Sequence, residues 1–172
     1  PAYITGGGNG TTIDSDQPEV IVGVDSGYFL IPVEVEVSCQ ADLDADGEIA
    51  EIAVFADRTS APPTSATATI ETPVNLLDGG ESFPGRAYSA VTADITDPTC
   101  DEILAHKVIK AADAGTAASE QVYALHLHYE PAVPSLLAGA CSLVVCWGGT
   151  AAVTGVARVV VAAVPNSWFP TS

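Results

Sequence analysis

The chain has 172 residues and carries 22 acidic side chains against five lysines and arginines, which gives a formal net charge of −17. Binding to nucleic acid requires lysine and arginine to neutralise phosphate, so this charge excludes DNA and RNA as partners, and an anionic membrane surface is repelled for the same reason. Hydrophobic residues make up 48% of the chain but aromatic residues only 6%, so the apolar content is mainly Ala, Val, Leu and Ile, a composition that favours sheets. The length predicts one domain whose core needs no metal or disulfide.

The N-terminal residues 1–18 are rich in glycine and contain few apolar anchors. They predict an extended arm, which is ordered only where it lies on a neighbour. The first residues lack the basic and apolar regions of a signal peptide, and we expect Pro1 to be the residue left after removal of an initiator Met. Because no uninterrupted apolar run reaches about 18 residues, the sequence predicts no membrane span.

The stretch from Gly27 to Arg58 alternates apolar and polar residues on both sides of an acidic corner. Alternation with period two is the pattern of a half-buried strand. In the first half the predicted inward face consists of Ile31, Val33, Val35, Val37 and Cys39. The second half, from Glu48 to Asp57, repeats the alternation, so the two halves predict one long hairpin that turns at 42–47.

The period changes between Asp97 and Gly115, where the apolar residues Leu104, Ala105, Val108, Ile109 and Ala112 follow a helical spacing. Acidic residues lie at the start of this segment and lysines near its end, which suits the dipole of a helix. The pattern predicts one short helix over about 98–113.

The last third of the chain again predicts strands. Residues 120–130 alternate, and residues 140–147 and 151–164 are apolar runs separated by Gly148 and Gly149. These two runs predict a hairpin buried on both faces. Residues 165–172 form a proline-rich tail that carries Trp168 and Phe169.

Together with short strands near 19–24, 66–73 and 87–95, these segments predict eight or nine strands at roughly ten-residue spacing. The predicted fold is all-β: an antiparallel two-sheet sandwich, jelly-roll-like, with one short helix. Its domain spans residues 19–164, between the N-terminal arm at 1–18 and the C-terminal tail at 165–172. An immunoglobulin-like sandwich and an irregular barrel stay open as alternatives.

The acidic corner contains Asp42, Asp44, Asp46 and Gly47, which match the first half of a calcium-binding loop. Such a loop needs a bidentate acid at position 53, where this chain has Ala53. The flanks are strands rather than helices. A plain turn closed by Gly47 in the left-handed conformation is the favoured interpretation, and calcium at the three aspartates is the alternative.

His126, His128 and Glu130 alternate along one predicted strand, so all three side chains project from the same face. Imidazole and carboxylate groups in this arrangement can ligate zinc, copper or iron. No second motif supplies the remaining ligands, and the favoured interpretation is therefore a solvated strand face. A metal-dependent jelly-roll enzyme is the alternative that this triplet would support.

The four cysteines, Cys39, Cys100, Cys141 and Cys146, show no spacing typical of a metal site or a local disulfide, and we expect buried free thiols. No nucleophile lies in a recognisable catalytic motif, and the glycine run near residue 8 precedes no Lys-Ser or Lys-Thr pair. The sequence predicts no enzyme activity, no catalytic residue and no cofactor.

In size, acidity, strand pattern and extended ends, the chain resembles the capsid decoration (cement) proteins of tailed bacteriophages. The resemblance implies a structural virion protein on the outer capsid surface, a homo-oligomer with a trimer favoured, whose partner is the major capsid protein of the same virus. The arms of such proteins clamp adjacent capsomers. The expected interaction residues are Pro1, Ala2, Tyr3, Ile4, Thr5, Trp168 and Phe169.

A secreted or cell-surface adhesion or carbohydrate-binding module is the alternative function. It requires either calcium at Asp42, Asp44 and Asp46 or aromatic side chains that form a platform for a sugar. Calorimetry with calcium and binding to a panel of glycans distinguish this module from a shell-binding protein.

Overall fold

The computed structural model describes residues 3–6, 13–43, 47–76, 80–95, 98–110, 121–150 and 152–169. These residues form β-strands and one short 3-10 helix, η1. The elements are β1 (Tyr3–Gly6), β2 (Val20–Val24), β3 (Tyr28–Leu43), β4 (Ile49–Asp57), β5 (Thr69–Ile70), β6 (Gly85–Ser89), β7 (Glu102–Lys110), β8 (Gln121–Tyr129), β9 (Leu137–Ala138), β10 (Cys141–Gly149), β11 (Val153–Pro165) and η1 (Asn166–Trp168).

The strands make two antiparallel sheets. Sheet A has the order β1-β11-β3-β8, and β9 pairs with the start of β3 beside β8. Sheet B has the order β5-β6-β2-β10-β4-β7. This architecture confirms the predicted all-β, antiparallel two-sheet sandwich. None of the described helices is long and apolar enough to cross a membrane.

The main core lies between the two sheets. Large, fully buried side chains from both sheets fill it, among them Leu30, Val35, Val37, Ile52, Val54, Leu125, Leu137, Leu143 and Trp147. Full burial of one Val, Leu or Ile side chain stabilises a fold by about 1.5–3 kcal/mol. Most residues of this core are aliphatic, in keeping with the low aromatic content of the sequence.

A second, smaller core covers the outer face of sheet B. It consists of Ile21, Tyr88, Val91, Ile95, Val144 and Cys146, against which Ile13 packs. The guanidinium of Arg86 donates to the carbonyl of Pro62 at 2.9 Å, and the Tyr88 hydroxyl donates to the carbonyl of Pro63 at 2.9 Å. These bonds hold the loop after β4 over the sheet. With both faces covered, β10 is buried at every residue.

The predicted hairpin from Gly27 to Arg58 is wrong. Its first half is β3 in sheet A and its second half is β4 in sheet B, so the acidic corner joins the two sheets. The alternation correctly identified both strands, the apolar face of β4 and the apolar face of β3 beyond Glu34. It could not distinguish strands bonded edge to edge from strands stacked face to face, because both arrangements bury the same alternate residues.

The predicted inward face of β3 is correct only beyond Glu34. Val160 of β11 pairs with Glu34, whereas Val161 pairs with Pro32, so Val33 is the extra residue of a β-bulge. Leu30 and Pro32 therefore point inward before the bulge, and Val33 is exposed. Pro32 cannot donate a ladder hydrogen bond, and bulges are among the few places where a paired strand tolerates proline.

The predicted helix at 98–113 is also wrong, because Glu102–Lys110 is strand β7, paired with β4. Ala105 pairs with Val54 and Ile103 with Phe55, which leaves Leu104 as the extra residue of a second bulge. Leu104, Ala105 and Ile109 all pack against the main core. The bulge turns two consecutive residues to one side, which accounts for the adjacent pair Leu104 and Ala105 in the spacing that resembled a helix. Residues 111–113 lie outside the described residues.

The predicted hairpin formed by 140–147 and 151–164 is the third correction. β10 pairs with β2 and β4 in sheet B, and β11 pairs with β1 and β3 in sheet A. The two strands stack across the core. β10 is buried on both faces as expected, whereas β11 is half-buried along most of its length.

Candidate interaction surface

Both ends of the chain that the structure describes adjoin β11: β1 pairs with this strand and the tail follows it directly. Strand β1 pairs antiparallel with the first half of β11, with Tyr3 opposite Arg158 and Gly6 opposite Gly155. The second half of β11 leads through Pro165 into the 3-10 helix and the tail. We call β1, the β11 segment Val159–Pro165 and the residues Trp168 and Phe169 the terminal surface. Pro1 and Ala2, also expected in this interface, lie outside the described residues.

The tail is fixed to the start of β3. The backbone N–H of Asn166 donates to the carbonyl of Gly27 at 2.9 Å. The ring of Phe169 meets the ring of Phe29 edge to face, with centroids 4.9 Å apart and planes at 78°. Trp168 remains 74% exposed. The contacts of Asn166 and Phe169 therefore hold the tail in place, and Trp168 between them presents an exposed indole side chain.

The third part of the terminal surface is a free strand edge. β1 covers β11 only from Gly155 to Arg158, and no backbone hydrogen bond from the part of the chain that the structure describes reaches the same edge of Val159–Pro165. This segment is half-buried and carries no charge. The uncharged run VVVAAV in the sequence could have indicated an unprotected strand edge. It was not recognised because this run was interpreted as half of a hairpin.

The outer face of sheet A beside this surface is polar. Arg158 forms an ion pair with Glu34, His126 Nε2 lies 3.2 Å from Glu36 Oε1, and His128 Nε2 lies 3.5 Å from Glu34 Oε1. The two imidazoles are 53% and 45% exposed. His126 and His128 thus lie on a solvated strand face, as the favoured interpretation expected.

Glu130, the third member of the predicted triplet, does not converge with the two histidines on one point. Its Oε2 lies 3.9 Å from His128 Nε2, and the rings of His126 and His128 are 6.5 Å apart between centroids. Within the described ranges, no three His, Cys, Asp or Glu side chains converge as metal ligands do. Each imidazole faces a carboxylate of β3, an arrangement suited to paired polar contacts across a sheet.

A groove of about 420 Å³ crosses the outer face of sheet A. It forms where small residues of three neighbouring strands lower the surface, and it is lined by Ser38, Cys39, Gln40, Ala124, Leu125, His126, Thr154, Gly155 and Val156. A sugar platform needs a flat Trp, Tyr or Phe ring, and the lining contains none. The groove does not favour the carbohydrate-binding alternative.

The acidic corner is described only in part. Asp44 and Asp46 lie outside the described residues. Asp42 is exposed at the end of β3, opposite Val122 of β8. Gly47 has a φ of +82°, the left-handed conformation expected of the residue that closes a turn.

The cysteines are free, and three of them, Cys39, Cys141 and Cys146, are buried. Burial raises the pKa of the Cys39 thiol to about 12, and burial together with the charge of Asp57 raises that of the half-buried Cys100 to about 11. Burial also raises the pKa of Cys141 and Cys146. Because the thiolate is the reactive species, thiols in this state are poor nucleophiles at neutral pH.

No family model matches the chain, and no curated protein matches its sequence. The terminal surface, the charge of the chain and the state of its thiols therefore carry the functional assignment. Of these features, the terminal surface alone combines an exposed aromatic side chain with unpaired backbone groups, the two features by which proteins bind one another through strand edges.

Two buried acids were not identified from the sequence, Glu19 and Asp57. Glu19 is 5% exposed and Asp57 is fully buried. The Asp57 carboxylate accepts hydrogen bonds from backbone N–H groups and hydroxyls of Thr59, Ser60 and Thr99. These bonds tie two loops to the end of β4. Both acids therefore have structural partners within the sandwich.

Proposed function

We propose that this protein is a structural virion protein, a capsid decoration protein that binds the outside of a viral shell as a homo-oligomer and stabilises that shell. The major capsid protein of the same virus is its partner. The observation that carries the proposal is the terminal surface, in which the N-terminal strand β1 pairs with the first half of β11 and the tail with Trp168 follows the second half.

The geometry suits a clamp. Trp168 is 74% exposed, whereas its neighbour Phe169 is anchored on Phe29. An exposed tryptophan on an ordered segment loses little conformational entropy on binding, and tryptophan is among the residues that dominate interface energies. β1 supplies the second contact, because an edge strand presents backbone donors and acceptors to an incoming chain.

The charge of the chain supports the same proposal. A protein with a net charge of −17 has a surface that the genome inside a shell does not attract. Its binding to a shell must then rest on neutral contacts, and the described part of the terminal surface outside β1 carries no acidic side chain. Binding through such a surface is expected to strengthen with salt, because salt screens repulsion between like charges.

The proposal is tested by sedimenting the purified protein with genome-free shells of the virus that carries its gene. We expect deletion of residues 1–12 to abolish co-sedimentation and to remove the rise in the melting temperature of the shell. Trp168→Ala is expected to weaken binding about 10–30-fold, the cost of losing a tryptophan hot spot of about 1.4–2 kcal/mol.

Val108→Ala is the matched control, since Val108 is 51% exposed on β7, at the opposite edge of sheet B from β5. It removes an exposed apolar group outside the terminal surface. Circular dichroism must show that each variant is folded. Unchanged shell binding by the folded deletion variant and by Trp168→Ala contradicts the proposal.

A further inference from the structure

We propose that the free edge of β11, Val159–Pro165, pairs antiparallel with the same segment of a second copy of this chain. The pairing joins the two copies of sheet A into one continuous sheet across a two-fold axis. This contact does not depend on binding to a shell, so it can be tested on the purified protein alone.

The first argument is the unpaired backbone. One side of Val159–Pro165 is bonded to β3, from Val35 back to Tyr28. On its other side, within the described ranges, the pairing with β1 ends at Arg158 and no further backbone hydrogen bond follows. Each strand edge of this kind presents a row of donors and acceptors that another strand can satisfy.

The second argument is the absence of protection. Proteins guard open edges with charges, short strands or covering side chains. At the far edge of sheet A, the Lys107 ammonium donates to the His126 carbonyl of β8 at 2.6 Å. β5 has only two residues, and β7 carries two lysines, His106 and Glu102. By contrast, Val159–Val164 contains neither a charge nor a proline, and Pro165 follows only at the end of the segment. Left open, such a segment is a site of aggregation.

The third argument is self-complementarity. A two-fold axis between antiparallel strands places one residue opposite its own copy. Since β1 occupies the edge up to Arg158, the open segment of seven residues has its midpoint at Ala162. In this register Val161 faces Ala163 and Val160 faces Val164, so larger and smaller aliphatic groups alternate and no charges meet.

The charge of the chain restricts where a second copy can bind. Two chains of −17 each approach closely only where neither surface is charged, and this segment is uncharged on both. The contact is also isologous, because the same segment of each copy pairs with that of the other. Neither copy then leaves this segment unpaired. The resemblance to decoration proteins favours a trimer, whereas this contact gives a pair.

The mass in solution is the first test. By sedimentation velocity in 0.15 M salt, we expect the purified protein to show twice the chain mass of 17.5 kDa. Ala162→Lys is expected to give a folded monomer. Ala162 is half-buried and lies outside the main core, so the monomer tolerates lysine, but the pair would place two like charges directly opposite each other. A monomeric or exclusively trimeric wild type overturns the inference, as does an Ala162→Lys dimer.

Disulfide trapping tests the register. Cα atoms of residues opposite each other in an antiparallel pair are about 4.5–5.5 Å apart, within the range that a disulfide spans. We expect Ala162→Cys to form a covalent dimer under mild oxidation. The control, Thr154→Cys, places a thiol on the same strand at an exposed position outside the segment and is expected to stay monomeric on a denaturing gel. A dimeric wild type without the Ala162→Cys crosslink contradicts the proposed register and with it the inference.

These tests separate the inference from the proposed function. Failure of the pair leaves a monomer or a trimer that can still bind shells through β1 and Trp168. Failure of shell binding leaves the mass and the crosslink unchanged. Ala162→Lys added to the sedimentation assay with shells shows whether the pair is the unit that binds.

Discussion

The carboxylate of Glu19 accepts a hydrogen bond of 2.8 Å from the backbone N–H of Trp147. β2 pairs with β10 only as far as Val20 and Val145, so the side chain of Glu19 replaces the strand that is missing beside Trp147. The backbone carbonyl of Glu19 also accepts from the N–H of Ala90 at 3.0 Å. One acidic residue thereby completes the ladder at the end of β2 and fixes the loop after β6.

The burial of Glu19 predicts a specific dependence of stability on pH. Desolvation raises its pKa from 4.5 to about 7, although hydrogen bonds from Trp147 and its own backbone oppose the rise. The folded state therefore holds the proton more tightly than the unfolded state. The stability that the protonated Glu19 contributes is complete below about pH 4.5 and is lost as the pH rises through 7. The loss between pH 5 and pH 8 amounts to about 2–3 kcal/mol.

Glu19→Gln should remove this dependence, because the amide oxygen can still accept from Trp147 but has no charge to bury. Urea unfolding at pH 5 and pH 8 measures the free energy of unfolding of both proteins. We expect the advantage of the variant over the wild type to grow by about 2–3 kcal/mol from pH 5 to pH 8. An equal pH dependence in the two proteins shows that Glu19 does not ionise differently on folding.

Asp57 should behave in the opposite way. Burial acts to raise its pKa, but the hydrogen bonds from Ser60, Thr59 and Thr99 outweigh burial and hold the pKa below 3.8. The stability that these bonds provide is present above the unfolded pKa and is lost as the pH falls through the folded pKa. Asp57→Asn replaces an acceptor of several hydrogen bonds inside the fold and is expected to cost about 2–4 kcal/mol at pH 7.

The control for Asp57 is Asp101→Asn in the loop before β7. Its exposed carboxylate accepts one bond of 2.9 Å from the backbone of Arg58, and its loss is expected to cost about 1 kcal/mol or less. Both variants are compared by urea unfolding at pH 7 and pH 4. Equal losses from the two substitutions would mean that the buried network around Asp57 adds nothing beyond a surface contact.

The sequence identified most strands but not their partners. Alternation records which side chains are buried, and β3 and β4 alternate whether they are bonded or stacked. The pairing of Tyr28 with Pro165 joins residues far apart in the chain, which no local pattern encodes. The bulge at Leu104 had a further effect, because it changed the local period and made a strand resemble a helix.

The candidate surface was predicted in part for the same reason. Composition alone indicated that Trp168 and Phe169 need a neighbour, since an exposed aromatic pair is costly in water. The sequence could not tell that Phe169 has its neighbour in Phe29 whereas Trp168 remains exposed. The open edge at Val159–Pro165 could not be predicted from the sequence either, because it depends on where the pairing of β1 with β11 ends.

The histidine pair on sheet A leads to a prediction about metals. Each imidazole already faces a carboxylate, His126 with Glu36 and His128 with Glu34, on a solvated face. We expect the melting temperature to be the same with EDTA and with excess zinc. A rise with zinc that His128→Gln removes contradicts this expectation and revives the metal-site interpretation. His106→Gln is the control, since His106 contacts Glu51 on sheet B.

A side chain at Gly155 of β11 should destabilise the fold, because the neighbouring atoms crowd this position. A Cβ at this position would lie 2.5 Å from Cys39 Sγ and 3.2 Å from Trp147 Cε2. Gly155→Ala is therefore expected to cost about 1–3 kcal/mol by overpacking. Cys39→Ala alone leaves a small cavity at the same place. In the double variant the new methyl group occupies the space vacated by the sulfur. The stability lost by the double variant should therefore be about 1 kcal/mol less than the sum of the losses of the two single variants.

Cys141→Ala provides the matched control for that double variant. Cys141 is a fully buried cysteine on β10, and its sulfur is not among the atoms that crowd Gly155. Combined with Gly155→Ala, it should give additive losses in urea unfolding. Additivity with Cys39→Ala as well would contradict the close contact between Gly155 and Cys39, whereas coupling confined to Cys39 establishes that the sulfur of β3 sets the size limit at this point of β11.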